Sequence, residues 1–202
     1  MFAPVPSPAP SVPRQRIQSA ARLHEIFFAL RPSAEDALRL VAQASSEDAR
    51  LGVGGELLKP GRLHVSLYSM ASYVRGEPFP QADVERWLQA ASTVPPASFE
   101  VTFDSLATFG HDTNPLVFKA RAGAGVASVR AFRRELGIAL ANAGEAVRDR
   151  AFEPHMSVSY RGMRIAEQAT APIRWTPGEL VLIDSHVGEH IHEVLARWPL
   201  RA

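Results

Sequence analysis

Two segments of the chain, residues 63–68 and 154–160, read almost alike. The first is Leu-His-Val-Ser-Leu-Tyr and the second is Pro-His-Met-Ser-Val-Ser-Tyr. Each sets a histidine two residues before a serine, among apolar residues that alternate as in a half-buried strand. Because side chains at i and i+2 of a strand point to the same face, each segment presents one imidazole beside one hydroxyl. The pair predicts an internally duplicated domain with two lobes.

Strand and helix patterns surround both segments. An apolar run over residues 23–30 predicts a buried strand that ends at Arg31-Pro32, and Ser33 then begins a helix with a capping-box-like start that runs to Ser45-Ser46. Helical spacing recurs over residues 81–91 and 126–140. Further strands are predicted near residues 99–103, 116–121, 179–184 and 194–198. We therefore predict an α+β fold with three helices among about seven strands.

The beginning of the chain has a different character. Five of the first thirteen residues are proline, which has no amide proton to donate to a helix or a sheet. We predict a disordered, Pro-rich tail over residues 1–20 and a single bilobal domain over residues 21–202.

Composition excludes several classes of protein. The chain has no cysteine, which rules out disulfide scaffolds, thiolate metal sites and cysteine nucleophiles. A formal net charge of +1 gives no overall cationic field for duplex DNA, although a local basic cleft is compatible with it. No apolar run approaches the roughly 20 residues that span a bilayer. We expect a monomeric cytoplasmic protein without a membrane partner.

The two histidine–serine segments suit phosphoryl chemistry if their strands lie side by side. A neutral imidazole can take a proton from water while a protonated one gives a proton to a leaving alkoxide, and two hydroxyls can hold the phosphate oxygens. One segment alone is better interpreted as a hydrogen-bonded polar pair on a strand, whereas the two together favour a catalytic site. With seven histidines in the chain, about one such spacing arises by chance. A third, at His111 and Thr113, falls in a turn and is interpreted as a bystander.

The residues around the two segments resemble a known family. Besides the segments themselves, the resemblance rests on the approach Phe152-Glu-Pro154 to His155, the strand over residues 26–30, and the closing stretches 179–185 and 193–200. These are similar to the two-histidine (2H) phosphoesterase superfamily, and within it to the bacterial LigT-like 2′-5′ RNA ligase group. The resemblance covers residues 23–200.

The resemblance implies a fold, a reaction and a site. The fold would be bilobal α+β, with two pseudo-twofold-related, mainly antiparallel sheets lining a central cleft and helices packed outside. His64 and His155 would be the acid–base pair and Ser66 and Ser157 the phosphate ligands, without a metal or other cofactor. The substrate would be an RNA end whose 2′,3′-cyclic phosphate opens to a 2′-phosphate, with reversible 2′-5′ ligation as a second activity. Which histidine is the base cannot be deduced from two symmetric motifs.

Three further residues are candidates for substrate contact. Many members of the superfamily carry arginine five residues after the second histidine, where this chain has Tyr160, followed by Arg161. Tyr160 and Tyr68 are expected to face the ligand and to stack on a base, with packing in the core as the alternative. Arg62 precedes the first motif in a loop that could meet an RNA backbone.

Three other functions are consistent with the sequence. The same four motif residues would serve a phosphodiesterase for small cyclic nucleotides such as ADP-ribose 1″,2″-cyclic phosphate. A non-catalytic module for RNA ends is disfavoured, because binding alone does not require two titrating histidines. A metallohydrolase could use His186, His190 and His192, the last two on one strand face, although no carboxylate partner has suitable spacing.

Overall fold

The computed structural model describes residues 23–109, 114–120, 124–147 and 151–200. Within these residues there are nine strands: β1 (Leu23–Pro32), β2 (Glu56–Leu57), β3 (Val65–Val74), β4 (Val101–Thr108), β5 (Leu116–Lys119), β6 (His155–Tyr160), β7 (Gln168–Trp175), β8 (Pro177–His186) and β9 (Ile191–Pro199). The three helices are α1 (Ala34–Leu51), α2 (Gln81–Ser92) and α3 (Ala127–Asn142). The predicted tail and the turn at residues 111–113 lie outside the described residues.

The strands form two antiparallel sheets that correspond to each other. Their orders are β3-β1-β8-β9 and β2-β6-β5-β4-β7. If the short strand β2 is left aside, the first strand of each sheet order is a motif strand, β3 or β6. β3 pairs with β1 and β6 pairs with β5. α1 connects β1 to β3 as α3 connects β5 to β6. The predicted α+β fold, with two related antiparallel sheets, is confirmed.

Helix α1 begins where its sequence predicts and ends later. The Ser33 hydroxyl accepts a hydrogen bond from the Asp36 amide at 3.1 Å, which satisfies one of the unpaired amides of the first turn. The two serines expected to end the helix lie on its exposed face, and the helix continues to Gly52, whose φ of 62° closes it. The two serines are therefore polar because they lie on the exposed face of the helix, and they do not mark its end.

Two strands were not predicted. β2 has two residues in a glycine-rich stretch, too few to show any alternation. β7 contains Pro172, and most of its side chains are exposed, so it has little apolar pattern. Both lie at the edges of the second sheet, where a strand pairs on one side only. β3 is also longer than predicted, continuing to Val74.

One hydrophobic core joins the helices to the inner faces of both sheets. It contains Phe28 and Leu30 of β1, Leu40 of α1, Trp87 of α2 and Phe118 of β5. The opposite face of β1 carries a second, small apolar cluster of Phe27, Ala29, Val181 and Ile183, with Val194 against it. The helices therefore lie on the side of the first sheet that faces away from this small cluster. None of the helices in the described residues is long and apolar enough to cross a membrane.

The two motif strands share one irregularity. Leu67 in β3 and Val158 in β6 each have no partner, since the residues on either side of them pair with consecutive residues of the neighbouring strand. Each lies three residues after the histidine of its motif. Such an extra residue reverses the face on which the side chains that follow it point, until a further irregularity such as the one at Met70 in β3.

Candidate active site

His64 and His155 are held in the same way. The Nδ1 atom of His64 lies 2.8 Å from the carbonyl oxygen of Arg62, and Nδ1 of His155 lies 2.8 Å from that of Glu153, in each case two residues earlier. Because a carbonyl oxygen only accepts, each Nδ1 carries the proton it donates, and Nε2 of the neutral ring is left to exchange a proton. β3 and β6 pass close to each other, and His155 contributes to the electrostatic field at His64.

A cavity of about 420 Å³ lies beside His64. Ser66 and Arg62 line it from the first lobe, and Tyr160 and Arg161 line it from the second. The structure thus brings together four of the candidate residues from the sequence: Arg62, His64, Ser66 and Tyr160. His155 and Ser157 are not among the described residues that line this cavity. Two larger cavities, of about 580 and 560 Å³, lie along α3 and contain neither histidine.

The surroundings of His64 favour its neutral form. Burial is the main cause that lowers its pKa, and the positive charges of Arg31 and Arg62 act in the same direction. The hydrogen bond to the Arg62 carbonyl opposes them. The net result is a pKa of about 4. At neutral pH His64 is therefore an unprotonated imidazole whose Nε2 can accept a proton.

A third histidine, His192, stands next to His64. Their rings are 5.3 Å apart, edge to face. Arg62 Nη2 donates to His192 Nε2 at 3.2 Å, and Arg62 Nη1 donates to the His190 carbonyl oxygen at 2.8 Å. Since a guanidinium cannot accept, His192 Nε2 is unprotonated in this arrangement. Burial, together with His64 and the arginines, lowers the pKa of His192 to about 3.

Tyr68, which was predicted to face the ligand, does not line the cavity beside His64, and its position fits the alternative of packing in the core. Tyr68 is 8% exposed and lies in the main core, where its hydroxyl donates to the Arg133 carbonyl at 3.1 Å and its ring stacks under the Arg133 guanidinium. The extra residue Leu67 turns Tyr68 away from Ser66, so that Ser69 instead points into the cavity. In β6 the extra residue has the opposite consequence, because it turns Tyr160 into the cavity.

Several residues around the cavity carry no signal in the sequence. Ser69 donates a hydrogen bond of 2.8 Å to Glu25, which lines the same cavity. Arg31, at the end of β1, is 9% exposed and contributes to the field at His64. His192 shows only as one of several clustered histidines. The pairing of β1 with β3 and β8, and of β8 with β9, brings these residues to the site, and no local pattern reveals it.

The second lobe surrounds its histidine differently. His155 packs edge-on against Phe109 at 5.2 Å between ring centres. Its ladder neighbour Lys119 lies 2.5 Å from Glu153 and 2.9 Å from Glu167. Burial alone would lower the pKa of Lys119, but these two carboxylates outweigh burial and raise it. The cation nearest to His155 in the ladder is therefore already neutralised.

The three histidines of the metallohydrolase alternative all line the cavity beside His64, but among the described residues their ligand atoms do not form one cluster within 4.8 Å. β9 begins at Ile191, so His190 lies in the preceding turn with a φ of 59° and does not share a strand face with His192. The ligand atoms of His186 lie close to those of His24 and Asp184 instead. The prediction of a shared face was wrong because the hairpin turn is one residue longer than the alternation assumed.

The anchored histidines on matched strands of a two-lobed fold are the features of a two-histidine phosphoesterase. A family model described as the 2′-5′ RNA ligase superfamily matches residues 27–189. The chain belongs to this superfamily, the 2H phosphoesterases, as its resemblance implied. No curated protein sequence matches the chain significantly.

Solved structures share the fold. The apo form of Escherichia coli LigT has a TM-score of 0.63 at 16% identity and covers 90% of this chain and 99% of its own. TT0787 of Thermus thermophilus has a TM-score of 0.63 at 18% identity and covers 88% of this chain and 98% of its own. The E. coli LigT complex with 3′-AMP has a TM-score of 0.61 at 16% identity, covering 89% and 99%. At these identities the likeness concerns the fold alone.

Proposed function

We propose that this chain is a phosphodiesterase that opens the 2′,3′-cyclic phosphate at an RNA end to a 2′-phosphate. The observation that carries the proposal is the matched pair of imidazoles, each anchored through Nδ1 to the carbonyl oxygen two residues earlier. A pair fixed in the same tautomer can divide acid and base between two Nε2 atoms. Membership of the phosphoesterase superfamily supports the proposal.

His64 is the base and His155 the acid in the hydrolytic direction. His64 is neutral at physiological pH because burial lowers its pKa to about 4. Its Nε2 takes a proton from water as the water oxygen bonds to phosphorus. The bond from phosphorus to the ribose 3′ oxygen breaks, and His155 gives a proton to that oxygen. The product is a 2′-phosphate, and the same groups exchange roles in the reverse reaction, which is 2′-5′ ligation.

Three groups hold the phosphate in this proposal. The hydroxyls of Ser66 and Ser157 each lie on the same strand face as the motif histidine and donate to the non-bridging oxygens. Arg62 adds a positive charge at the cavity beside His64. His192 is a positioning residue, because its Nε2 accepts from Arg62 Nη2 and fixes the guanidinium plane.

Tyr160 contacts the nucleoside. It lines the cavity that also contains His64, Ser66 and Arg62, and it is half-buried, which leaves part of its ring available to stack on a base. Stacking on one aromatic ring tolerates any base, so we expect weak dependence on the terminal nucleotide. E. coli LigT, which shares the fold, has been crystallised with 3′-AMP and with ATP, both nucleotides.

Product analysis tests the proposal. A short RNA ending in a 2′,3′-cyclic phosphate is incubated with the chain in excess chelator, and the phosphate position is read by ³¹P NMR. We expect the 2′-phosphate, and a rate that falls by at least about 100-fold in His64→Ala and in His155→Ala. Ser157→Ala and Ser159→Ala form a matched pair in one strand. The first loses rate, whereas the second, whose buried hydroxyl has no hydrogen-bond partner among the described residues, does not.

Three outcomes would contradict the proposal. A 3′-phosphate product would show that the bond from phosphorus to the ribose 2′ oxygen breaks, whereas the proposal requires the bond to the 3′ oxygen to break. Conversion of a small cyclic nucleotide such as ADP-ribose 1″,2″-cyclic phosphate, without conversion of RNA, would move the function to small substrates. Tight binding of the RNA end without turnover would leave a recognition module.

A further inference from the structure

A cluster of potential metal ligands lies at one end of the first sheet, outside the acid–base pair. Ligand atoms of His24, Asp184 and His186 all fall within 4.8 Å of one another. His24 Nδ1 is 3.1 Å from Asp184 Oδ1 and 3.2 Å from Oδ2, and the rings of the two histidines are 4.2 Å apart. No step of the proposed reaction uses these groups.

The cluster is built by three adjacent strands. His24 of β1 pairs in register with His186 of β8 and with Tyr73 of β3. Asp184 lies two residues before His186 and therefore on the same face of β8. The neighbouring positions Glu25 and Ser185 point the other way, into the cleft cavity. His186 is the one member of the cluster that also borders that cavity.

Burial makes this arrangement costly without a partner of positive charge. Asp184 is 3% exposed and His24 is 8% exposed. Buried carboxylates in proteins are paired with a cation or bind a metal. Among the described residues, the side-chain hydrogen-bond partners of Asp184 are His24 and the hydroxyl of Tyr73, which donates to Oδ2 at 2.5 Å. That hydroxyl also lies 3.1 Å from His24 Nδ1.

We propose that His24, Asp184 and His186 form a binding site for a divalent first-row transition metal ion of the zinc type. Two imidazoles and one carboxylate are a donor set that such ions prefer. Ligands about 2.0 to 2.2 Å from a tetrahedral zinc ion are separated by about 3.3 Å, close to the distance between His24 Nδ1 and Asp184. Binding requires that the His24 proton moves from Nδ1 to Nε2 and that the His186 ring, whose ligand atom lies within 4.8 Å of the other two, adjusts to the ion.

The surroundings complete the coordination. Tyr73 keeps its hydrogen bond to the second carboxylate oxygen, as the outer partners of metal ligands do, and this orients Asp184. Glu193, on the exposed side, lies 3.2 Å from His186 Nε2 and is placed to add a fourth ligand or to hold a metal-bound water. An ion here would join β1 to β8, whereas the acid–base pair stays outside its coordination.

Titration of the chelator-treated full chain with Zn²⁺ tests the site. We expect one ion per chain by calorimetry, with micromolar or tighter affinity, and a Co²⁺ complex with visible absorption bands. His186→Gln should weaken Zn²⁺ binding by at least about tenfold and remove the Co²⁺ bands. Because His186 is at the edge of the cluster, this variant should keep the wild-type circular dichroism and melting temperature in the absence of metal.

His192→Ala is the control, because the cleft also contains histidines that could hold a metal. It should bind Zn²⁺ as the wild type does. Loss of binding in His192→Ala, unchanged binding in His186→Gln, or no binding in the micromolar range would each overturn the proposal. Asp184→Asn adds a second test, since an amide keeps the size of the carboxylate and lacks its charge.

Discussion

His64 and His155 share a motif, a place at the start of a motif strand and a backbone hydrogen bond, but the two lobes surround them with different charges. Around His64 stand Arg31, Arg62 and a third histidine, and neither the Arg62 guanidinium nor His192 contacts a carboxylate among the described residues. Lys119, the ladder partner of His155, is bound by two glutamates. A duplicated scaffold has therefore produced one half-site whose arginine, Arg62, contacts no carboxylate among the described residues, and one half-site whose lysine is paired with two carboxylates.

This difference is the basis on which we propose the roles that the symmetric motifs leave open. Burial near two arginines lowers the pKa of His64, so that it is neutral and can act as a base. The same arginines attract the anionic phosphate of the substrate and of the product. The half-site around His155 does not compete for the phosphate, because Lys119 is already paired with two glutamates. The asymmetry also implies that equivalent substitutions in the two lobes should have unequal consequences, except at the histidines themselves.

The largest effects should come from the histidines, where the lobes are equivalent. His64→Ala and His155→Ala should each lower kcat/KM on the cyclic phosphate by roughly 100-fold to 10,000-fold, the usual contribution of a general acid or base. Full pH–rate profiles separate the roles. The limb that falls toward low pH in the wild type, near pH 4, should be absent in His64→Ala. A profile of His64→Ala that keeps this limb would show that His64 is not the base.

The next effect should separate the lobes. Arg62→Met removes the charge that faces the phosphate, and should raise KM by about 10-fold to 100-fold, the worth of a hydrogen bond to a charged group. Lys119→Met removes a cation that two glutamates already neutralise, and should change KM by less than about threefold. Steady-state kinetics of both variants with the same RNA decide the matter. Equal changes in KM would contradict the asymmetry.

Stability should depend on pH through the half-site around His64. The folded-state pKa of His64, about 4, is below its ordinary value, so between pH 6.5 and pH 4 the unfolded chain binds the proton and the folded chain does not. Stability is therefore fully present above pH 6.5 and is lost as the pH falls toward 4. His64 should account for about 2 kcal/mol between pH 7 and pH 5.

Urea unfolding of the wild type and of His64→Ala at several pH values measures this contribution. The wild type should lose more unfolding free energy than the variant between pH 7 and pH 5, and the two should run parallel between pH 7 and pH 8. Parallel curves over the whole range would mean that the burial of His64 does not lower its pKa.

Much of the fold and the chemical centre could be predicted from the sequence. Apolar periodicity identified the three helices and all the described strands except β2 and β7, since burial on one face imposes that periodicity. The repeated motif identified His64 and His155 because their spacing to serine is local. Residues such as Glu25, Arg31 and Ser69 reach the site only through the pairing of distant strands, which leaves no local pattern.

The sequence also does not show on which face of the sheet a side chain lies after a bulge. Alternation placed Tyr68 beside Ser66, and a single unpaired residue, Leu67, reversed it. The same irregularity in β6 brought Tyr160 to the cavity. No residue type at Leu67 or Val158 marks the bulge, because both are ordinary strand formers.

The smallest effects should come from the two tyrosines, which stand one place apart relative to their motifs and face opposite ways. Tyr68→Phe leaves the Arg133 carbonyl without its buried donor, and should lower the free energy of unfolding by about 1 kcal/mol with kcat/KM unchanged. Tyr160→Ala should raise KM by about tenfold, the worth of one stacked base. Chemical unfolding and steady-state kinetics give the free energy of unfolding and the KM of each variant. If Tyr68→Phe changed KM and Tyr160→Ala did not, the bulges would not set the faces of these strands, and the first tyrosine would belong to the site after all.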